Sequence, residues 1–254
     1  MRRGPCEQYG AVYLSPHLDD AVLSCGGQIH RRVTDGEAVL VATVGTADEP
    51  PRPWPPLVAK VHRTWGLPSR VAAARRAEDA AACGLLGADW LHLGLPDAIY
   101  RRRRDGGALY PTLRSLFAGA APEDSGFAQV IVAALERRLP PHRQLLAPLG
   151  VGGHVDHLLT RQAAELLAAA TVSLYEDFPY AAERWRRRNW QHLAGPDRVP
   201  GVVPLRAEDL EARLRAALAY TSQLRPLFGT AETLRRRLER HVRRVGGEVL
   251  WRQA

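Results

Sequence analysis

The chain has 254 residues, 46% hydrophobic and 24% charged, with a formal net charge of +8. This composition excludes disordered and fibrous classes, and no run approaches the roughly 20 apolar residues of a membrane-spanning helix. The three cysteines, Cys6, Cys25 and Cys83, are odd in number and lack metal-ligand spacing, so neither a disulfide framework nor a zinc ribbon is expected.

Met1-Arg2-Arg3-Gly4-Pro5 leads into a strand pattern rather than a signal-peptide core, which points to a cytoplasmic protein. Residues 11–14 read as a first strand and 20–33 as a helix closed by Asp35-Gly36. Residues 38–44 form a continuous apolar, β-branched run, the pattern of a strand buried on both faces of a parallel sheet. The proline-rich stretch 50–56 is expected to be a loop near the pocket mouth. A helix over 75–86 stops at Gly87, and 90–93 reads as a third strand. Residues 101–126, rich in Arg, Gly and Pro, form a long excursion, expected to be a lid or a rim of the pocket. There follow a helix over 127–139, a strand over 144–147, a helix over 154–170 and a strand over 171–175. Arginine-rich helices over 206–224 and 231–245 complete a C-terminal helical cover spanning 206–254. Strands alternating with helices predict one α/β domain, Rossmann-like, with a mainly parallel sheet flanked by helices and its site at the C-terminal ends of the strands.

Two segments carry chemistry. Ser15-Pro16-His17-Leu18-Asp19-Asp20 follows the first strand, and Gly152-Gly153-His154-Val155-Asp156-His157 opens a later helix. His17 and Asp20 are three apart in a strand-to-helix turn, where both can reach one metal ion, leaving Asp19 free as a general base. His154 and His157 share one face of a first helical turn, so one can complete the metal site while the other faces the substrate. Each segment alone also suits a simpler role, because Asp19 and Asp20 favour a helix N-terminus. Cys25 next to Gly26-Gly27 has no neighbouring base, and those glycines lack dinucleotide-binding spacing. Of the remaining histidines only His62, after the proline-rich loop, invites attention. The carboxylates and phenols of Tyr175-Glu176-Asp177-Phe178-Pro179-Tyr180 follow a strand and suit either a pocket wall or a plain loop with a solvent-facing acid pair.

Together these segments resemble the PIG-L/LmbE family of metal-dependent N-acetylglucosamine deacetylases, whose hallmarks are Pro-His-Pro-Asp-Asp-Glu and His-x-Asp-His. Arg75-Arg76-Ala77-Glu78, Leu93-Gly94-Leu95-Pro96-Asp97 and Ala219-Tyr220-Thr221-Ser222-Gln223 extend the similarity from about residue 10 to residue 225. The resemblance implies zinc, or another divalent metal such as Fe2+, held by His17, Asp20 and His157, with Asp19 as the base that deprotonates the attacking water. It implies that His154 stabilises the oxyanion or protonates the amine, that Asp156 tunes His154 through a hydrogen bond, and that Arg75 and Asp97 hold sugar hydroxyls. For the last two the simpler readings are an Arg75–Glu78 pair and a turn shaped by Asp97. Leu18 replaces the second proline and Ala21 the glutamate. These departures leave ligands and base in place but loosen the turn and raise the alternative of a non-catalytic member.

The expected activity is removal of an acetyl or similar acyl group from an amino sugar or its glycoside, a small-molecule substrate, in secondary-metabolite or thiol biosynthesis. One alternative is an amidase acting on a thiol-sugar conjugate or another amide. Another is a basic α/β module binding anionic ligands without catalysis, through the arginine runs 101–104, 186–188 and 235–237. Those runs lack interleaved aromatics, although Trp185 and Trp190 flank one, so no nucleic-acid partner is expected. Oligomeric state leaves no readable trace.

Overall fold

The computed structural model describes residues 8–67, 69–168, 172–183 and 191–254. Strands β1 (Tyr9–Ser15), β2 (Val39–Gly45), β3 (Asp89–Leu95), β4 (His142–Pro148) and β5 (Val172–Tyr175) run parallel in the order β3-β2-β1-β4-β5. β6 (Arg198–Val203) and β7 (Glu248–Gln253) extend the sheet beyond β5, each pairing antiparallel. The helices are α1 (Asp20–Thr34), α2 (Pro56–Trp65), α3 (Val71–Leu86), α4 (Leu113–Leu116), α5 (Phe127–Arg138), α6 (Val155–Ala168), α7 (Gln191–Ala194), α8 (Ala207–Leu218), α9 (Thr221–Phe228) and α10 (Ala231–Val245). None of the described helices is long and apolar enough to cross a membrane.

Alternation along β1 builds two cores. Val12 and Leu14 pack with Ile131 and Leu135 of α5 and Leu159 of α6, whereas Ala11 and Tyr13 pack with Cys25 of α1, Leu86 of α3 and Ala216 of α8. Every residue of β2 is buried, as its unbroken apolar run requires of a strand covered on both faces. Cys25 is therefore a packing residue.

Four features depart from the periodic reading. α2 follows the proline loop directly, with Pro56 in its first turn, a position where the missing N–H costs nothing. α3 begins at Val71, and the carboxylate of Glu49 accepts its first N–H groups at 2.9 and 3.0 Å, so the cap comes from a distant loop. The stretch 206–224 is two helices, because Glu78 caps α9 through Ser222 N–H (2.9 Å) and the Thr221 hydroxyl (2.6 Å). Finally, the stretch 206–254 is not wholly a helical cover: β7 enters the sheet beside β5, and Trp251 faces Leu174. Its partner β6 contains Pro200 and Gly201, residues that weaken a strand pattern but are tolerated in an edge strand.

Helices α1 and α8 meet at Gly26. A Cβ there would lie 2.8 Å from Cγ and 3.3 Å from Cα of Arg213, a buried side chain paired with buried Glu248 at 2.9 Å. Glu248 in turn accepts the N–H groups of Gly27 and Gln28, both at 2.9 Å. The two glycines thus serve close packing. Two exposed arginines of α10 are partnered as well, Arg235 with Glu211 at 3.1 Å and Arg236 with Glu232 at 3.8 Å. The run 186–188 and its flanking Trp185 and Trp190 lie outside the described residues.

Gly26→Ala is expected to lower stability by about 1 kcal/mol, since overpacking costs about 2 kcal/mol in the middle of its usual range against about 1 kcal/mol gained in helix propensity. Urea unfolding measures it, and a variant as stable as the parent would contradict this packing account.

Candidate active site

β1 and β4 are neighbours, yet the chain leaves β1 toward β2 on one side and β4 toward β5 on the other. Such a reversal opens a crevice beyond the carboxyl ends of the two strands. The turn holding His17, Asp19 and Asp20 leaves β1 there, and the loop carrying His154 leaves β4 beside it. The Ser15 hydroxyl donates to His17 O at 2.6 Å and accepts Ala21 N–H at 3.0 Å, fixing the turn without the second proline. Leu18 and Ala21 are buried, so both departures from the family pattern fill core. Gly152 and Gly153 adopt left-handed φ values of 98° and 78°, which glycine reaches without a Cβ clash, and so deliver His154 to the crevice.

Asp20 Oδ2 lies 3.0 Å from His17 Nδ1 and 3.3 Å from His157 Nε2. Ligands bound tetrahedrally at about 2.0–2.1 Å sit roughly 3.3–3.4 Å apart, so the Asp20 oxygen is spaced from both imidazoles as a co-ligand would be, and His17, His154 and His157 offer ring nitrogens that all lie within 4.8 Å of one another. The outward nitrogen of each imidazole is held by a carboxylate: His17 Nε2 by Asp156 at 2.9 Å and His157 Nδ1 by Asp177 at 2.6 Å. Carboxylates in this position orient a metal-binding imidazole and raise its basicity. Burial alone would keep His157 neutral, but Asp20 and then Asp177 push it up to about 10, and a field that holds a proton so firmly also suits a cation. His17 also neighbours Asp97 and Asp156, but those carboxylates are engaged by Ile99 N–H at 3.0 Å and by Arg101 at 2.6 Å.

Asp19 is buried, and its side chain caps no helix N–H. Burial and the adjacent Asp20 raise it to about 7, while Arg75, 3.8 Å away, opposes the shift. The ring of His154 stands 4.9 Å from that of His17 and 5.5 Å from that of His157. Burial, then the His17 ring, lower it to about 3. Its Nδ1 accepts the backbone N–H of Asp156 at 3.2 Å, so Nε2 carries the hydrogen. The expected carboxylate bond from Asp156 to His154 is absent from the structure. Residues two apart on a helix do not face each other; the carboxylate turns instead to His17, Ala98 N–H (2.9 Å) and Arg101.

A pocket of about 400 Å³ opens over these groups. Arg75 and Asp97 both line it. Arg75 donates to Leu18 O at 3.3 Å and stacks on Trp65 at 4.5 Å, whereas Glu78 is committed to α9, so the simpler Arg75–Glu78 pair is not formed. Asp97 does shape its turn through Ile99 N–H while still reaching the pocket. Of the rest of the lining, Leu116 and Phe117 belong to the excursion expected at the rim and Tyr180 to the loop whose phenols were expected there, whereas Trp65 and Leu227 had no readable signal as pocket residues. Asp177 sits behind His157 rather than on a pocket wall, and its position just past β5 was the readable signal. His62 lies on the far side of α2, 2.7 Å from the Tyr100 hydroxyl, and lines a separate groove.

Two imidazoles and a carboxylate at the switch point of a mainly parallel sheet, with a second buried acid beside them, define a metal-dependent hydrolase of α/β architecture. The family model of GlcNAc-PI de-N-acetylase, PIG-L, matches residues 12–168. The chain belongs to the PIG-L family of N-deacetylases. It is 30% identical over 260 residues to a 2'-N-acetylparomamine deacetylase of Streptomyces fradiae, covering 96% of this chain and 80% of that protein. A second protein of that name, from Niallia circulans, is 29% identical over 244 residues, covering 87% and 84%. Among solved structures, a zinc-inhibited form of teicoplanin deacetylase superposes with a TM-score of 0.80 at 29% identity, covering 95% of this chain and 96% of the other.

Asp20→Ala is expected to abolish tight binding of one divalent ion per chain, because it removes the oxygen adjacent to both imidazoles. Metal content after gel filtration measures this, and an undiminished content would exclude Asp20 as a ligand.

Proposed function

We propose that this protein hydrolyses the N-acetyl, or a similar acyl, amide of an amino sugar or its glycoside, using zinc held by His17, Asp20 and His157. The observation that carries the reading is the Asp20 carboxylate set between His17 and His157 at 3.0 and 3.3 Å, at the floor of a pocket that Asp19 also lines. A bound divalent ion supplies Lewis-acid polarisation of the amide carbonyl and acidifies water. Fe2+ suits the same nitrogen and oxygen donors.

Asp19 takes the proton of the attacking water, for which its burial and freedom from a cap suit it. His154 presents its Nε2–H to the oxygen that gains charge as the carbonyl becomes tetrahedral. The leaving amine receives the proton that Asp19 took from the water, since His154, held neutral with Nδ1 already accepting an N–H, acts as a hydrogen-bond donor and not as the acid. Arg75 offers N–H donors and Asp97 a carboxylate acceptor, the complementary pair that sugar hydroxyls need. The volume, about 400 Å³, suits a small-molecule ligand. The names of the relatives, deacetylases of 2'-N-acetylparomamine and of teicoplanin, support an amino-sugar glycoside of secondary metabolism as the substrate. Cys25 and Cys83 are free and buried, which accords with a cytoplasmic setting.

The test is amine release by the zinc-loaded protein across a panel of N-acetylglucosamine derivatives. At least one should be turned over, and Asp19→Asn should lower kcat by about 10²–10⁴-fold with zinc content unchanged. No amine from any member of the panel, or full activity in Asp19→Asn, would overturn the reading.

A further inference from the structure

Arg101 opens the long excursion between β3 and α5, in an arginine run whose composition suggests a solvated or substrate-facing loop. The structure places it elsewhere. Its side chain is buried, with one guanidinium nitrogen 2.6 Å from Asp156 Oδ1 and another 3.0 Å from Asp124 Oδ2. The guanidinium stacks 4.3 Å over the Phe127 ring, which fixes its plane. Asp124 accepts the Tyr110 hydroxyl at 2.7 Å, and that hydroxyl accepts Ala121 N–H at 3.0 Å. An unbroken line of polar contacts thus runs from the backbone beyond the Phe117 rim, through Arg101, to Asp156 and the His17 ring.

Both oxygens of Asp156 are occupied, Oδ1 by Arg101 and Oδ2 by His17 Nε2 and Ala98 N–H, so the carboxylate has no free rotation. Without Arg101 it would be a buried anion with one side unpaired, free to turn or draw in water. The imidazole it holds would then lose its fixed direction. Resting on the reading of His17 as a metal ligand, we propose that Arg101 is a positioning residue for the metal site. By clamping Asp156 it keeps Nε2 of His17 as the donor and points the Nδ1 lone pair at the space shared with Asp20 and His157.

The experiment measures zinc affinity by competition with a chromophoric chelator for the parent, Arg101→Met, Arg101→Lys and Asp124→Asn, together with the visible spectrum of each cobalt-loaded protein. Loss of a partner behind a ligand typically weakens metal binding about 10–100-fold, and that is the shift expected for Arg101→Met. Arg101→Lys should recover part of it, since an ammonium keeps the charge but cannot bridge Asp156 and Asp124. The cobalt spectrum should shift, and kcat should climb back toward the parent value at saturating zinc, which a general folding defect would not allow. A folded Arg101→Met with zinc affinity within threefold of the parent overturns the proposal. If Arg101→Met does not fold, the Lys and Asn variants decide: several-fold weakening in both supports it, and unchanged affinity in both overturns it. A parent that binds no zinc would remove the metal reading itself, whereas zinc-binding variants indistinguishable from the parent would remove only the role of Arg101.

Discussion

The structure depends first on the parallel pairing of β1 with β4, in which Ala11 lies opposite Gln144 and Tyr13 opposite Leu146. Those two strands are far apart in sequence and carry different halves of the site. Pairing them in parallel puts both carboxyl ends at the same edge, and because the connections diverge, nothing fills the gap. The turn after one strand and the glycine-bent loop after the other must then face each other across a few ångströms. A slip of one residue in that pairing would turn every side chain of β1 to the wrong core and carry His17 away from His157.

Such a site gathers many charges in little water, and the surrounding contacts show how that is tolerated. Asp156 is matched by Arg101, Asp177 by His157 and the N–H groups of Gly150 and Val151, both at 2.8 Å, and Asp20 by His17 and His157. Buried charges persist only when paired in this way. Asp19 is the exception. Among the described residues its side chain has a 3.8 Å approach from Arg75 and no closer partner, and it is raised toward neutrality as a result of burial beside Asp20. The acid left least satisfied is the one assigned proton transfer, consistent with strongly perturbed groups collecting at functional sites.

The wall of the pocket comes from elements that do not contribute ligands. α2 supplies Trp65, α4 and the residue after it supply Leu116 and Phe117, and α9 supplies Gln223 and Leu227. Of these, α9 is capped from a distance by Glu78 of α3, whereas α4 is closed by its own Thr112–Ser115 capping box.

How much of this was legible depended on where each signal resides. The apolar run of β2, the helix of α1 and the histidine-carboxylate segments were readable because their cause is local: burial on both faces, the 3.6-residue period, and ligand types at fixed short spacing. α3's true start was not, because its cap is a glutamate some twenty residues upstream. β7 was hidden because its buried Glu248 breaks the apolar pattern, a charge tolerated only opposite Arg213. Asp156 and Arg101 show the same limit within the site: the sequence names an acid beside a histidine and an arginine in a basic run, but not which way either points. The sequence by itself determined the alternation of strands and helices and the residue types able to bind a metal and move a proton. Only the tertiary structure decided which carboxylate stands behind which imidazole, since that follows from the pairing of distant strands and the packing of helices between them.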